Sequence, residues 1–356
     1  MKNDTITNIR ITNVETSKID QVDFDNLIFG KVFTDHMFVC EFENGSWQNP
    51  EIVPYQDITL SPSSRVFHYG QAVFEGMKAY KDEQDGIWLF RPDENYNRIN
   101  KSCKRLAIPE LPEDYFFDAL KSLLLLEKDW IKKGVGNSLY LRPFVIATES
   151  SLVAAPAESY KFMIICSPAK SYYAGEVRVK IAEKFSRAAD GGVGYAKAAG
   201  NYASQFYPTE LAKQKGYQQI IWTDANSHEY LEEAGTMNVF FRIGDTLLTA
   251  PNNDRILDGV TRKSVIEIAK DAGIDVEVRR ISVSEIVDAA NDNNLKEIFG
   301  CGTATVINPI SGFGYQEKQY ELPVLENSYA SFLKKTIMDI QHNNASDKFG
   351  WRHKVN

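Results

Sequence analysis

Cysteine is scarce in this chain. The four, Cys40, Cys103, Cys166 and Cys301, are scattered through 356 residues without a CxxC spacing, which suggests neither a disulfide framework nor a zinc site and points to reduced thiols. Histidine is as sparse, and His36, His68, His228, His342 and His353 do not cluster, so no metal centre is expected. Basic excess is missing: 40 Lys and Arg stand against 48 Asp and Glu, a formal charge of -8, which leaves no electrostatic footprint for nucleic acid or an anionic membrane. No uncharged apolar run approaches a membrane span, and the opening MKNDTITNIRIT lacks both the apolar core of a signal peptide and the arginine-rich character of a transit peptide. A cytoplasmic location follows as the expectation. A GxxxxGK[ST] nucleotide-phosphate loop is also lacking.

What is present is an ordinary globular composition, 43% hydrophobic and 25% charged, in a chain long enough for two domains. Its most unusual stretch is GGVGYAKAAGNY, Gly191 to Tyr202, where Lys197 is the one charge among small, apolar and amide residues. Burial disfavours a protonated amine, and a deprotonated amine is a nucleophile and a base. Taken alone, the stretch also fits a flexible glycine loop with a solvated lysine.

Along the chain, residues 1–28 read as a polar arm with a short strand in ITNIRIT, and FGKVFTDHMFVC, from Phe29 to Cys40, alternates as a strand. The aromatic-rich run SPSSRVFHYGQAVFEGMKAY suits a helix placing Tyr69 and Phe74 at an apolar pocket, or plain core packing. A strand from Ile87 to Phe90 feeds a helix from about Asp93 to Leu106 that carries Arg98 and opens on Asp93 and Glu94, where the helix dipole favours carboxylates. A second helix is expected from Glu113 to about Lys133. In SLYLRPFVIAT, alternation by two puts Tyr140 and Arg142 on one face of a strand, a fair receiver for a carboxylate. YKFMIICSP reads as a central strand, and the aperiodic SPAKSYYAGE as an interdomain linker. Beyond it come a strand in VRVKIAEKFSRA, the Lys197 loop, a helix in YASQFYPTELAKQKG closed by Gly216, and a buried strand in QQIIWTD. Glu233 stands just before the glycine bend of LEEAGTMNVFFRI, where a buried cation could hold it. ILDGVTRKS places Gly259 ahead of a helix starting near Thr261, whose free amides suit a phosphate. SVSE, Ser282 to Glu285, is a capping box, and the turn holding Thr303 in GCGTATVINP could take an anion. The tail KFGWRHKVN is expected to dock by Phe349 and Trp351.

A desolvated lysine, a carboxylate, a tyrosine, an arginine and two anion-holding turns together match what pyridoxal 5′-phosphate asks of a protein. The ordered series FGKVFTDHM, FHYGQAVFEGMKAY, NYNR, LYLRP, GYAKAAGNY, EEAGTMNVF, LDGVTRKS, GCGTATVINP and KFGW closely resembles the branched-chain amino acid aminotransferases, over nearly the whole chain. The resemblance implies a fold type IV enzyme of α/β class, α+β in its small domain, with the cofactor at the interface of two domains. It sets these at 1–168 and 175–356, joined by a linker at 169–174. Lys197 then corresponds to the lysine that carries the cofactor and shuttles the α-proton. Tyr202 corresponds to the donor at the phenolic oxygen, Glu233 to the acid at the ring nitrogen, and Arg98, Val260, Thr261 and Thr303 to the phosphate cup. Phe29, Tyr69, Phe74, Tyr140, Arg142, Tyr172, Thr303 and Ala304 correspond to the substrate pocket, with Arg142 meeting the side-chain carboxylate of glutamate. Tyr173 is an alternative to Tyr172.

The implied reaction moves the amino group of L-leucine, L-isoleucine or L-valine to 2-oxoglutarate, giving the branched 2-oxo acid and L-glutamate. The implied assembly is a homodimer, with the loop around Val153 and Ala154 reaching the neighbour's pocket. Three departures stand out. Asp258 and Gly259 replace a proline-glycine pair, Thr305 and Asn308 occupy the places of a redox CxxC, and Ala199 replaces a second glycine. No thiol switch is therefore expected there. Alternatives are a D-amino acid aminotransferase or aminodeoxychorismate lyase, or a cofactor-free scaffold that kept the fold.

Overall fold

The computed structural model describes residues 8–170 and 177–356. Tyr172, Tyr173 and the expected linker from 171 onward lie outside the described residues. The described chain forms two compact units. One holds residues 8–170 together with Ala196–Ala199 and Asp339–Asn356; the other holds residues 177–195 and Gly200–Met338.

The first unit is built from β1 (Arg10–Ile11), β2 (His36–Glu43), β3 (Ser46–Pro54), α1 (Arg65–Tyr69), β4 (Ala72–Phe74), β5 (Met77–Lys81), β6 (Ile87–Phe90), α2 (Pro92–Arg105), α3 (Glu113–Leu126), β7 (Asn137–Ala147) and β8 (Tyr160–Lys170). The sheet runs β1-β3-β2-β8-β7-β5-β6, with β4 paired to β7. β7 and β8 form its spine, in unbroken antiparallel register from Asn137 opposite Lys170 to Ala147 opposite Tyr160. The apolar faces of α2 and α3 meet the sheet in a core around Phe38, Ile99, Phe116, Leu123, Leu141 and Phe162. Side chains of this size each contribute roughly 1.5–3 kcal/mol when fully buried. α2 begins with Pro92, Asp93 and Glu94 and ends with Lys104 and Arg105, so both ends complement its dipole.

Three expected elements of the first unit are redrawn by the fold. The strand expected from Phe29 begins only at His36, because Gly30 takes a left-handed φ of 71° and Lys31 N–H turns back to the Ile28 carbonyl. Phe74 lies on a strand rather than a helix: α1 ends at Gly70, left-handed at φ 60°, and the chain straightens into β4. α3 stops at Leu126, and a single 3-10 turn, Lys128–Trp130, follows where the buried Glu127 carboxylate binds Asp35 N–H and His36.

The second unit contains β9 (Arg178–Ile181), α4 (Gly200–Ala203), α5 (Phe206–Gln214), β10 (Gln219–Thr223), β11 (Leu231–Ala234), β12 (Met237–Ile243), β13 (Thr246–Thr249), α6 (Val260–Asp271), β14 (Val276–Val278), α7 (Val283–Asn291), β15 (Leu295–Gly302), β16 (Val306–Ile310), β17 (Gly312–Tyr315) and β18 (Lys318–Glu321); α8 spans Tyr329–Gln341. Its mixed sheet runs β14-β13-β12-β11-β10-β9-β17-β18, with β15 joining β12 to β16. The single helix expected from Tyr202 to Gly216 is split into α4 and α5. Pro208 lacks the N–H that would continue it, and Ser204 and Gln205 turn their side chains onto the Asn201 carbonyl. Ser282 caps α7 as expected, its Oγ accepting Glu285 N–H at 3.0 Å.

In the first unit the tail closes as β19 (Arg352–Lys354), antiparallel to β6. Trp351 stacks on Phe349 at 4.2 Å and meets the edge of Phe90. Among the described residues no helix is long and apolar enough to cross a membrane, and no group of His, Cys, Asp and Glu is placed to hold a metal.

Candidate active site

The backbone of residues 197–199 is fixed in the first unit by three hydrogen bonds. Phe74 N–H donates to the Lys197 carbonyl at 3.1 Å, Ala199 N–H donates to the Ala72 carbonyl at 3.0 Å, and Lys197 N–H donates to Ser102 Oγ at 2.9 Å. The lysine segment thus runs as an antiparallel strip beside β4, with Val73 opposite Ala198. Ser102 is fully buried on α2 and donates in turn to the Arg98 carbonyl.

The Lys197 side chain lies with Nζ 4.5 Å from the centroid of the Phe74 ring. The residue as a whole is part-exposed, but its amine end is desolvated. Burial first, and then the cationic Arg98, push the amine down to about 8, against the opposing pull of Glu75. An amine of that basicity exists in both protonation states near neutral pH.

Arg98 and Glu75 form a two-point pair: Nε to Oε1 at 2.7 Å and Nη2 to Oε2 at 2.8 Å. Asn95 Nδ2 at 2.8 Å and Gly76 N–H at 3.1 Å also donate to Glu75 Oε2. Burial works to raise the Glu75 carboxyl, but the Arg98 guanidinium holds it below the usual carboxylate range. Glu75, Asn95 and Ser102 were not among the expected site residues. A signal was available: Asn95, Arg98 and Ser102 recur at i, i+3 and i+7 on the buried face of α2, and polar groups on a buried face must find partners.

Four of the expected substrate residues of the first unit, Phe29, Phe74, Tyr140 and Arg142, form one cluster. Arg142 Nη2 donates to the Tyr140 hydroxyl at 2.9 Å, and its guanidinium lies 4.6 Å from the Phe74 ring and 5.3 Å from the Tyr140 ring. Phe29 meets Tyr140 edge-on at 4.9 Å. Arg142 Nε is buried without a hydrogen-bond partner. Gly76 leaves the Tyr140 ring its place, since a Cβ there would stand 2.2 Å from the hydroxyl. Tyr69 is on α1, its hydroxyl bonded to the Leu152 carbonyl. Tyr172 lies outside the described residues.

In the second unit the cation that holds Glu233 is Arg187, with Nε 2.8 Å from Oε1 and both side chains buried. Oε2 of Glu233 accepts Leu257 N–H at 3.0 Å and lies 3.5 Å from Asn238 Nδ2, which donates to the Leu257 carbonyl. Asn238 is therefore the hinge of this assembly. It pairs with Glu233 across β11 and β12 and with Cys301 on β15, two residues ahead of Thr303. It also packs on Gly259, where a Cβ would meet its Oδ1 at 1.9 Å.

Gly259 is the N-cap of α6, and no side chain caps the helix; Val260 and Thr261 supply its first amides. Asp258 is turned to Lys263 at 2.9 Å and Asn252 at 2.5 Å, which neutralises the acid next to these amides. Thr303 and Ala304 form the turn between β15 and β16, and Val306, which closes it, has a left-handed φ of 61°. Tyr202 sits part-exposed on α4.

Comparison with known proteins identifies the family of the chain. A family model described as amino-transferase class IV matches residues 72–313. Branched-chain-amino-acid aminotransferase 2 of Bacillus subtilis (strain 168) is 44% identical over 352 residues, covering 98% of this chain and 97% of that protein. The crystal structure of the Escherichia coli branched-chain amino acid aminotransferase superposes with a TM-score of 0.73 at 25% identity, covering 90% of this chain and 99% of that one. A branched-chain amino acid aminotransferase from T.th., complexed with N-(5′-phosphopyridoxyl)-L-glutamate, gives 0.71 at 25% identity, covering 89% and 98%.

Proposed function

The chain belongs to the class IV aminotransferases, and on that footing we propose that it transfers the amino group of L-leucine, L-isoleucine or L-valine to 2-oxoglutarate, with pyridoxal 5′-phosphate as cofactor. The observation that carries this reading is the Lys197 amine, desolvated against Phe74 and pushed down to about 8. The donor set suits the cofactor: a buried acid countered by an arginine, a helix start that no side chain caps, and an amine that gives up its proton near neutrality. Bound pyridoxal phosphate supplies an electron sink for the α-carbon of the amino acid.

The protein's own groups do the rest. Lys197 takes the α-proton and returns it, and its lowered basicity keeps a useful fraction of free amine at neutral pH. The amides of Val260 and Thr261 and the Thr303 hydroxyl would hold the phosphate, with the α6 dipole favouring the anion, and Arg98 is proposed as its guanidinium partner. Glu233 would accept the ring-nitrogen proton in a hydrogen bond, and Tyr202 would donate to the phenolic oxygen. Arg142, with a buried Nε in need of an acceptor and Tyr140 bonded to its fork, receives the side-chain carboxylate of glutamate. Phe29, Tyr69 and Phe74 of the first unit would receive a branched apolar side chain. One pocket can thus serve both substrates, because Phe74 borders the Lys197 amine and the Arg142 guanidinium alike.

We assign the protein to the cytoplasm as a homodimer. The exposed apolar side chains of Phe67, Leu152 and Val153 in the first unit support a partner surface at the 150–155 loop. Amino transfer from L-leucine to 2-oxoglutarate tests the activity. Conversion of D-alanine, or release of pyruvate from aminodeoxychorismate, without turnover of L-leucine would overturn it.

A further inference from the structure

Arg187 stands outside every motif that marks the chain, in the stretch between β9 and the glycine loop, yet its side chain is 4% exposed. A guanidinium is not buried without compensation. Here Nη2 donates to the Gly194 carbonyl at 2.9 Å and to the Arg255 carbonyl, while Nε approaches Glu233 Oε1 to 2.8 Å. That approach is an ion pair rather than a well-aligned hydrogen bond, since the Nε–H finds no acceptor in line. The two backbone carbonyls therefore set the guanidinium's position, and the carboxylate lies against a cation that the main chain has already placed. The partners of the other Glu233 oxygen, Leu257 N–H and the Asn238 amide, are neutral donors that orient it without matching its charge.

We propose that Arg187 is a positioning residue for the reaction, holding Glu233 as an oriented carboxylate through a guanidinium anchored on the Gly194 and Arg255 carbonyls. The inference rests on the assignment of Glu233 to the cofactor's ring nitrogen. An opposite charge at this distance favours the ionised acid, and the ionised acid is the form that binds a protonated ring nitrogen. The neighbouring pair Glu232 and Arg255 is separately engaged, Arg255 Nε reaching Glu232 and Nη1 reaching Asp190. Arg255 is thereby committed to those two carboxylates.

The test is a double-mutant cycle read as the dissociation constant of pyridoxal 5′-phosphate, measured by tryptophan fluorescence on the full chain. Arg187→Gln and Glu233→Gln should each weaken binding roughly tenfold, the size of one unit of altered proton affinity. The double variant should be no weaker than Glu233→Gln alone, because Arg187 acts through that carboxylate. Arg187→Lys, which keeps a cation beside Glu233 but not the guanidinium's fork, should recover part of the binding that Arg187→Gln loses, and it keeps the test open if the glutamine variant does not fold. A double variant weakened by the product of the singles, or a lysine variant as weak as the glutamine one, would overturn the proposal in favour of a structural role. A wild-type protein that takes up no pyridoxal phosphate would overturn the functional assignment itself, and this inference with it.

Discussion

Arg98 lays Nε and Nη2 on the two carboxylate oxygens of Glu75, at 2.7 and 2.8 Å, with Glu75 wholly buried and Arg98 8% exposed. Removing one partner of such a pair leaves an uncompensated buried charge, which costs far more than the pair contributes. Glu75→Ala should lose about 3–5 kcal/mol of stability, measured by urea denaturation at pH 7.5. The pH dependence has a definite sign. The folded carboxyl lies below its ordinary range, so its contribution is complete above the ordinary carboxyl pKa and is lost as pH falls from there through the folded value. The alanine variant should therefore lose less stability than wild type between neutral and acid pH.

The Lys197 amine shifts in the opposite sense. Its folded pKa of about 8, against an ordinary 10.5, means that the unfolded chain binds more protons between these values, so cofactor-free protein should gain stability as pH rises from 8 to 10.5. Below pH 8 the penalty is complete. Lys197→Met should relieve it, stabilising the cofactor-free protein at pH 7 by on the order of 2 kcal/mol while abolishing amino transfer. Denaturant midpoints at pH 7 and pH 10 for both proteins check this, and a methionine variant no more stable at pH 7 would count against a desolvated amine.

The bond from Arg142 Nη2 to the Tyr140 hydroxyl predicts a split between the two substrates. Tyr140→Phe should raise KM for 2-oxoglutarate by roughly five- to tenfold, as expected for one lost hydrogen bond to a charged group, and leave KM for L-leucine within about twofold. Equal changes for both substrates would remove Arg142 from the carboxylate subsite.

Gly259→Ala probes the other assembly. The added Cβ would stand 1.9 Å from Asn238 Oδ1, and Asn238 links Glu233 to Leu257. Gly259 has φ -71°, so the backbone tolerates alanine and the collision is with the side chain alone. Pyridoxal phosphate affinity should fall by roughly tenfold or more, and Gly259→Ala paired with Asn238→Ala should recover part of the loss. Equilibrium dialysis of the two variants reads it directly.

Features decided by local chemistry were legible in the sequence: the dipole-complemented ends of α2, the Ser282 cap, the central strand β8, and an uncharged loop around Lys197. Those that depend on long-range pairing were not. Phe74 sits in an aromatic run that suits a helix, and becomes a strand residue because β7 on one side and the Lys197 segment on the other supply its hydrogen bonds. Glu75 and Arg98 lie 23 residues apart, and Arg187 and Glu233 are likewise distant in sequence, so neither pair leaves a short-range spacing to read. The expectation of a buried cation at Glu233 was available from its place before the glycine bend, but its identity required the fold.

On the proposed function the Lys197 amine serves both halves of an amino transfer. The most direct measurement is the visible absorbance of the purified protein with pyridoxal 5′-phosphate, recorded alone, after L-leucine, and after subsequent 2-oxoglutarate. Leucine should bleach the cofactor band and 2-oxoglutarate restore it, with Lys197→Met showing neither change. A band that leucine leaves untouched while D-alanine bleaches it would contradict the substrate assignment, and a protein with no band would contradict the function altogether.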